Sequence, residues 1–268
     1  MQTMKIILKI LILIVFLYIF SLFLLWFFQE KFIFFPSKDN PYVISELKNN
    51  PYIKHITKKT PDDIILDGWI QTYPDKQKTI ILFAGNATNV TNFIGDFSIP
   101  NANIISFNYR SYGSSSGKAS EKNLFSDALF IYDSLILDGL IDSKEVYIMG
   151  ISLGTGVATF LSSQREVSGV ILVTPYDSIE SVSKSKFPFF PIKFLLRNKF
   201  LSTKFSILKE NPVLIIYAGN DKIIKNYHTE NLIKHWNGDI KKLFIAEADH
   251  NNVLDYAESR QAIENFIQ

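Results

Sequence analysis

From residue 10 to residue 28 the chain is apolar except for Tyr18 and Ser21, a run long enough to cross the hydrocarbon core of a bilayer as one helix. After Pro36 the pattern changes. Polar turn residues fill 37–51, and short alternating segments near His55-Ile56-Thr57 and over 64–73 predict a linker followed by an antiparallel hairpin. Continuous apolar runs then recur at 79–83, 104–107, 146–149, 170–173, 213–216 and 243–245, the signature of strands buried on both faces. Helical periodicity separates most of them. Leu124, Ala128, Ile131 and Leu135 share one face of a helix over 121–137 that Ser120 caps, and a last helix is expected over about 255–267. Strand and helix in alternation predict a largely parallel, doubly wound α/β sheet covered by helices.

Composition narrows the class. At 268 residues, 47% hydrophobic and 20% charged, the chain fits one globular domain plus an appendage. The boundaries expected are 1–30 for a membrane anchor and 31–268 for the domain. A net charge of +2 with lysines and acids interspersed argues against a nucleic-acid partner. There is no cysteine, and the histidines His55, His228, His235 and His250 form no ligand pair with nearby acids, so neither a metal nor a cofactor is expected.

A cleaved signal peptide would have a shorter apolar stretch and a small-residue cleavage site. Here Trp26-Phe27-Phe28-Gln29-Glu30-Lys31 follows the run, which favours an uncleaved single-pass anchor. Lys5, Lys9 and the terminal amine precede the span, while Glu30, Lys31, Lys38 and Asp39 follow it. That slight bias expects a cytosolic N-terminus and an exported domain. The aromatics Trp26, Phe27, Phe28, Phe32, Phe34 and Phe35 suit a headgroup-level belt or packing against the first strands.

The chemistry centres on Gly150-Ile151-Ser152-Leu153-Gly154 between a strand run and a helix run. A G-x-S-x-G turn lifts the serine hydroxyl above the sheet, and the helix that follows points its amide dipoles at the site. Serine needs a base, and the base needs an acid. Asp221, in Gly219-Asn220-Asp221 after a strand, is the expected acid, with Asp177 its rival and Asp249 a weaker one; His250, before the last helix, is the expected base. The other histidines fail on position: His55 precedes the serine, and His228 and His235 sit in an amphipathic helix as surface or packing residues. An oxyanion hole takes two backbone N–H groups. Leu153 is one expected donor and Asn86, with Ala87 close behind, the other, each through its main chain alone. Two glycosylation sequons, at Asn86 and Asn89, are read as chance matches because a glycan there would block the pocket.

Taken in order, Phe35-Pro36, Gly85-Asn86-Ala87, Asn108-Tyr109-Arg110-Ser111-Tyr112-Gly113, Gly117, Glu121, the serine pentapeptide, residues 188–197, Asp221 and His250-Asn251 resemble the α/β-hydrolase superfamily. The likeness is to membrane-anchored hydrolase-domain proteins related to the fungal polarity-associated hydrolases and animal protein depalmitoylases. It implies the α/β-hydrolase fold and a Ser152, Asp221, His250 triad, but leaves the substrate open. Two departures stand out: Ala84 replaces the family's usual histidine, and Asp249 its usual glycine before the catalytic histidine. They imply lowered or altered activity.

Between the strands at 173 and 213 an apolar insertion, a small helical lid over about 180–208, would overhang the serine. Phe187, Phe189, Phe190 and Leu195 are the expected acyl contacts, and Lys184, Lys186, Lys193, Arg197 and Lys199 could meet anionic headgroups. The expectation is a membrane-anchored serine hydrolase acting on lipid-like acyl esters or thioesters. A serine peptidase of the same fold and a non-catalytic scaffold are the alternatives.

Overall fold

Helix α1, Gln2–Ile33, is long and apolar enough to cross a membrane by length and composition, and no residue of its most apolar stretch is buried. The computed structural model describes residues 2–72, 74, 78–95, 97–100 and 102–268. The helix passes the expected boundary at residue 30 by three residues. Phe34, just beyond, is buried against Phe200 at 6.3 Å between ring centroids.

The linker expected over 37–51 is instead largely a helix, α2, Pro41–Asn49. Asn40 caps it by accepting from Tyr42 N at 3.0 Å, Pro41 begins it, and Val43, Ile44 and Leu47 pack on the core. A capping asparagine followed by proline nucleates a helix that its polar composition conceals. The hairpin forms as β1, Ile53–Lys59, and β2, Ile65–Gln71, with Ile53 opposite Gln71; Tyr73, expected to end the second strand, lies outside the described residues. Lysines at 54, 58 and 59 line β1, the edge strand, and so guard against pairing with another chain.

The remaining elements alternate: β3, Lys78–Phe83; β4, Ala102–Phe107; α3, Glu121–Leu137; β5, Val146–Ile151; α4, Leu153–Gln164; and β6, Gly169–Val173. Three short helices follow, α5, Ile179–Lys186, α6, Ile192–Leu195, and α7, Ser202–Ser206, where the insertion was expected. The chain closes with β7, Val213–Ala218, α8, Asn226–His235, β8, Ile240–Ile245, and α9, Ala257–Ile267. Among the described residues the eight strands form one sheet in the order β1-β2-β4-β3-β5-β6-β7-β8, antiparallel through β4 and parallel from there on.

Strand side chains alternate between faces. Ile81, Phe83, Ile148, Leu172 and Ile215 join α3 and α4 on one side, and Ile80, Leu82, Met149, Ile171 and Ile216 join α2 and α9 on the other. Burying one such Leu or Ile contributes about 1.5–3 kcal/mol, so two continuous cores hold the sheet. Functional loops then emerge along its carboxyl edge.

Candidate active site

Strand β5 delivers Ser152 into a turn with φ +48° and ψ −113°, and α4 starts at the next residue. Such a conformation costs on the order of 1–3 kcal/mol, and the neighbouring backbone enforces it. Ser152 N donates to Val173 O at 2.9 Å, and its carbonyl accepts from Thr155 N at 3.0 Å and Thr155 Oγ1 at 2.6 Å. A Cβ on Gly154 would stand 2.0 Å from Phe83 O, and one on Gly150 2.5 Å from Gly154 O. Only glycine fits at either place.

The loops after β7 and β8 bring an acid and a base to this serine. His250 Nε2 lies 2.9 Å from Ser152 Oγ, and His250 Nδ1 lies 2.7 Å from Asp221 Oδ2. With Asp221 ionised, the neutral ring donates from Nδ1, leaving Nε2 to accept the serine proton. Asp221 Oδ1 accepts from Ile223 N at 2.8 Å and Ile224 N at 2.7 Å, which fixes the carboxylate. Asn220 ties the two loops together: its N donates to Ala248 O at 2.9 Å, and its Nδ2 reaches Ala246 O and Glu247 O.

The rival acids are committed elsewhere. Asp177 pairs with His228 at 2.9 Å and accepts from Asn231 Nδ2 at 2.8 Å. Burial alone would raise its carboxyl, but these hydrogen bonds outweigh that and hold it below the usual range. Asp249 is exposed and accepts from Asn251 N at 2.8 Å and Asn252 N at 3.2 Å, capping its own turn. His228 is a packing residue, 1% exposed, while His55 pairs with Asp67 on the hairpin.

Beside the serine, the 84–87 loop is anchored more firmly than its main chain suggests. The Asn86 side chain was expected to be free to vary. Instead its Oδ1 accepts from Phe35 N at 2.9 Å, Tyr112 Oη at 2.6 Å and Ala87 N at 3.0 Å, while its Nδ2 donates to Ile33 O at 2.6 Å. Tyr109 Oη donates to Ala84 O at 2.8 Å, supporting the loop where the alanine has no polar side chain. Asn89 is likewise committed, 1% exposed and donating to Lys38 O, so neither sequon asparagine is free. Opposite the loop, Tyr176 Oη donates to Leu153 O at 3.0 Å.

Two cavities meet at Ser152. One, of about 420 Å³, is apolar; Ser152, Leu153 and Asn86 lie on it with Val182, Phe187, Ile192 and Leu195 of the insertion, and with Leu25, Gln29, Phe32 and Ile33 of α1. The other, of about 590 Å³, includes Thr88, Asn92, His250, Asn251 and Arg260. Of the four expected acyl contacts, Phe187 and Leu195 line the apolar cavity, and Lys186 joins them. Phe189 and Phe190 do not. Phe189 is 86% exposed, and Phe190 stacks on Tyr18 of α1 at 5.9 Å, because the insertion turns its tip toward α1. The contribution of α1 to the cavity leaves little trace in the sequence beyond Gln29, the first polar residue after the apolar run, and Phe32. Among the described residues no three His, Asp or Glu side chains are grouped to hold a metal ion.

No protein-family profile matches the chain. Over 203 residues it is 30% identical to alpha/beta hydrolase domain-containing protein 17B of Xenopus tropicalis, covering 74% of this chain and 69% of that protein. The chain belongs to the α/β-hydrolase family. An uncharacterized protein of Mycobacterium tuberculosis is 26% identical over 252 residues, 91% of this chain and 88% of its own. Among solved structures, an alpha-beta hydrolase from Vibrio vulnificus superposes with a TM-score of 0.68 at 20% identity, covering 85% of this chain and 87% of that one. The Pyrococcus furiosus esterase Pf2001 does so with a TM-score of 0.65 at 16% identity, over 88% and 97%. At these identities the structures establish the α/β-hydrolase fold, and the sheet, the helices and the N-terminal apolar helix described above complete it.

Proposed function

We propose that this hydrolase is a membrane-anchored serine hydrolase that cleaves carboxylic esters or thioesters through an acyl-Ser152 intermediate. The observation that carries the reading is the unbroken chain from Ser152 Oγ through His250 to Asp221, at 2.9 and 2.7 Å, opening onto an apolar cavity.

In the first half-reaction His250 Nε2 takes the hydroxyl proton as Oγ attacks the acyl carbon. The carbonyl oxygen becomes an oxyanion held by the backbone N–H groups of Leu153 and Asn86, aided by the N-terminus of α4. The C–O or C–S bond then breaks, and His250 returns the proton to the departing alcohol or thiol. In the second half, His250 deprotonates water, which attacks the acyl carbon and releases the carboxylic acid and free serine. Asp221 keeps the ring in one tautomer and offsets its positive charge.

The apolar cavity fits the acyl part, and the more polar cleft with Arg260 and Asn251 fits the leaving group. Helix α1 anchors the chain as a single pass, and the lysines at 5 and 9 set a cytosolic N-terminus with the hydrolase domain on the exported side. The test offers fluorogenic esters, thioesters and aminoacyl amides to full-length protein in lipid nanodiscs, beside Ser152→Ala. Ester or thioester turnover lost in the variant supports the reading. Turnover of amides alone makes the protein a peptidase, and no turnover leaves the scaffold.

A further inference from the structure

Helix α1 does more than end near the domain. The Gln29 side chain, in a residue 5% exposed, donates to Leu195 O at 3.1 Å and accepts from Arg197 N at 2.7 Å, so its amide pairs with the lid backbone at two points. Arg197 also lies over the Trp26 ring at 5.2 Å and reaches Glu30 at 3.4 Å. Further toward the N-terminus, Tyr18 Oη donates to Phe189 O at 3.0 Å while its ring stacks on Phe190. At the other end, Asn86 beside the serine holds Ile33 O and Phe35 N. The lid thus runs along α1 from Gln29 to Tyr18, about 16 Å of helix.

This placement sets the depth of the lid. Tyr18 lies in the middle of the 10–28 run, so when that run crosses the hydrocarbon core the lid tip beside Tyr18 is in hydrocarbon too. The tip is suited to it: Phe189 and Phe194 are 86% and 85% exposed, aromatic surface that a water-facing loop rarely leaves bare. Lys186 and Lys193, at its flanks, have stems long enough to carry their ammonium groups back to headgroup level. Between lid and helix lies the apolar cavity, with Leu25, Phe32 and Ile33 on one wall, Val182, Ile192 and Leu195 on the other, and Ser152 on its lining.

We infer that α1 is one wall of the acyl site: a bilayer-resident fatty acyl chain passes sideways between α1 and the immersed lid to Ser152, never crossing water. The inference rests on the proposed hydrolase function and adds the route by which an acyl chain reaches the serine. Lateral entry spares the chain the cost of exposure to water, about 0.8 kcal/mol for each methylene.

The experiment uses full-length protein in phosphatidylcholine and phosphatidylglycerol vesicles with 4-methylumbelliferyl esters from butyrate to palmitate. Leu25→Trp puts an indole into the α1 wall. The kcat/KM ratio of palmitate to butyrate is expected to fall about tenfold or more, the loss of two or more methylene contacts; a ratio equal to wild type overturns the inference. As a measurement independent of turnover, Phe194→Trp in a Trp26→Phe background adds a lid-tip indole whose emission is expected to be quenched, relative to that background alone, by bromine on the lipid acyl chains, and an unquenched lid tip also overturns it. If wild type turns over esters but both results fail, only the lateral route is lost. If wild type cleaves no ester at all, the inference falls with the function on which it rests.

Discussion

Asp177 Oδ1 lies 2.9 Å from His228 Nδ1, a second buried acid–histidine pair in the same molecule as Asp221 and His250. The two pairs differ in what the far ring nitrogen meets. His250 Nε2 reaches the serine hydroxyl, whereas His228 Nε2 is buried with no hydrogen-bond partner among the described residues. A search by residue type alone finds both, and the partner of the imidazole separates them. We predict that Asp221→Asn lowers kcat on the order of 10⁴-fold by favouring the wrong tautomer. Asp177→Asn should keep kcat within about tenfold while costing roughly 1–3 kcal/mol of stability. Turnover and thermal unfolding of both variants check this.

The serine turn leaves no room for a side chain at 154. With Phe83 O 2.0 Å from the place a Cβ would take, Gly154→Ala must push β3 and α4 apart. A loss of roughly 1–3 kcal/mol is expected, together with slower reaction of Ser152 toward an active-site probe. Denaturant unfolding and labelling rate measure the two effects.

Asn86 joins the loop beside the serine to the end of α1 through two hydrogen bonds, to Ile33 O and from Phe35 N, and accepts two more from Tyr112 Oη and Ala87 N. Asn86→Ala should drop kcat by about 10²–10³-fold, the effect of a misplaced oxyanion donor. KM should change much less, because the apolar side chains of Val182, Phe187, Ile192 and Leu195 that line the cavity are untouched. Steady-state kinetics on one ester decide.

Arg110 forks onto Asp127 and also holds Asp62 at 2.6 Å. That hydrogen bond brings the Asp62 carboxyl down from 3.8 to about 2. A depressed folded-state carboxyl contributes stability above its unfolded value that is lost as pH falls through the folded one. Wild type should therefore unfold at a higher temperature than Asp62→Asn above about pH 4, and the difference should shrink between pH 4 and 2. Melting curves across that range test the sign.

What could be read in the sequence was set by local signals. Helix α3 has the expected bounds because Ser120 Oγ caps Asn123 N and its apolar face repeats with helical spacing. The strands were legible as buried runs, and Ser152, Asp221 and His250 as residues at the ends of strands. Helix α2 was hidden because Asn40 and Pro41, usual in turns, here start a helix. Other features depend on contacts between distant segments and leave little local pattern: Gln29 against Leu195, the Asn86 side chain against Ile33, and the tip of the lid against Tyr18. Phe189 and Phe190 were expected in the cavity for their apolar character alone, which says nothing about which side of the lid faces the serine.

An activated serine is most directly tested by fluorophosphonate labelling of the protein in lipid nanodiscs, beside Ser152→Ala and His250→Ala. The account predicts stoichiometric labelling of wild type, none of Ser152→Ala, and slowing of His250→Ala by about 10⁴-fold or more. Folded wild type that does not label, or a Ser152→Ala variant that labels as wild type does, would contradict it.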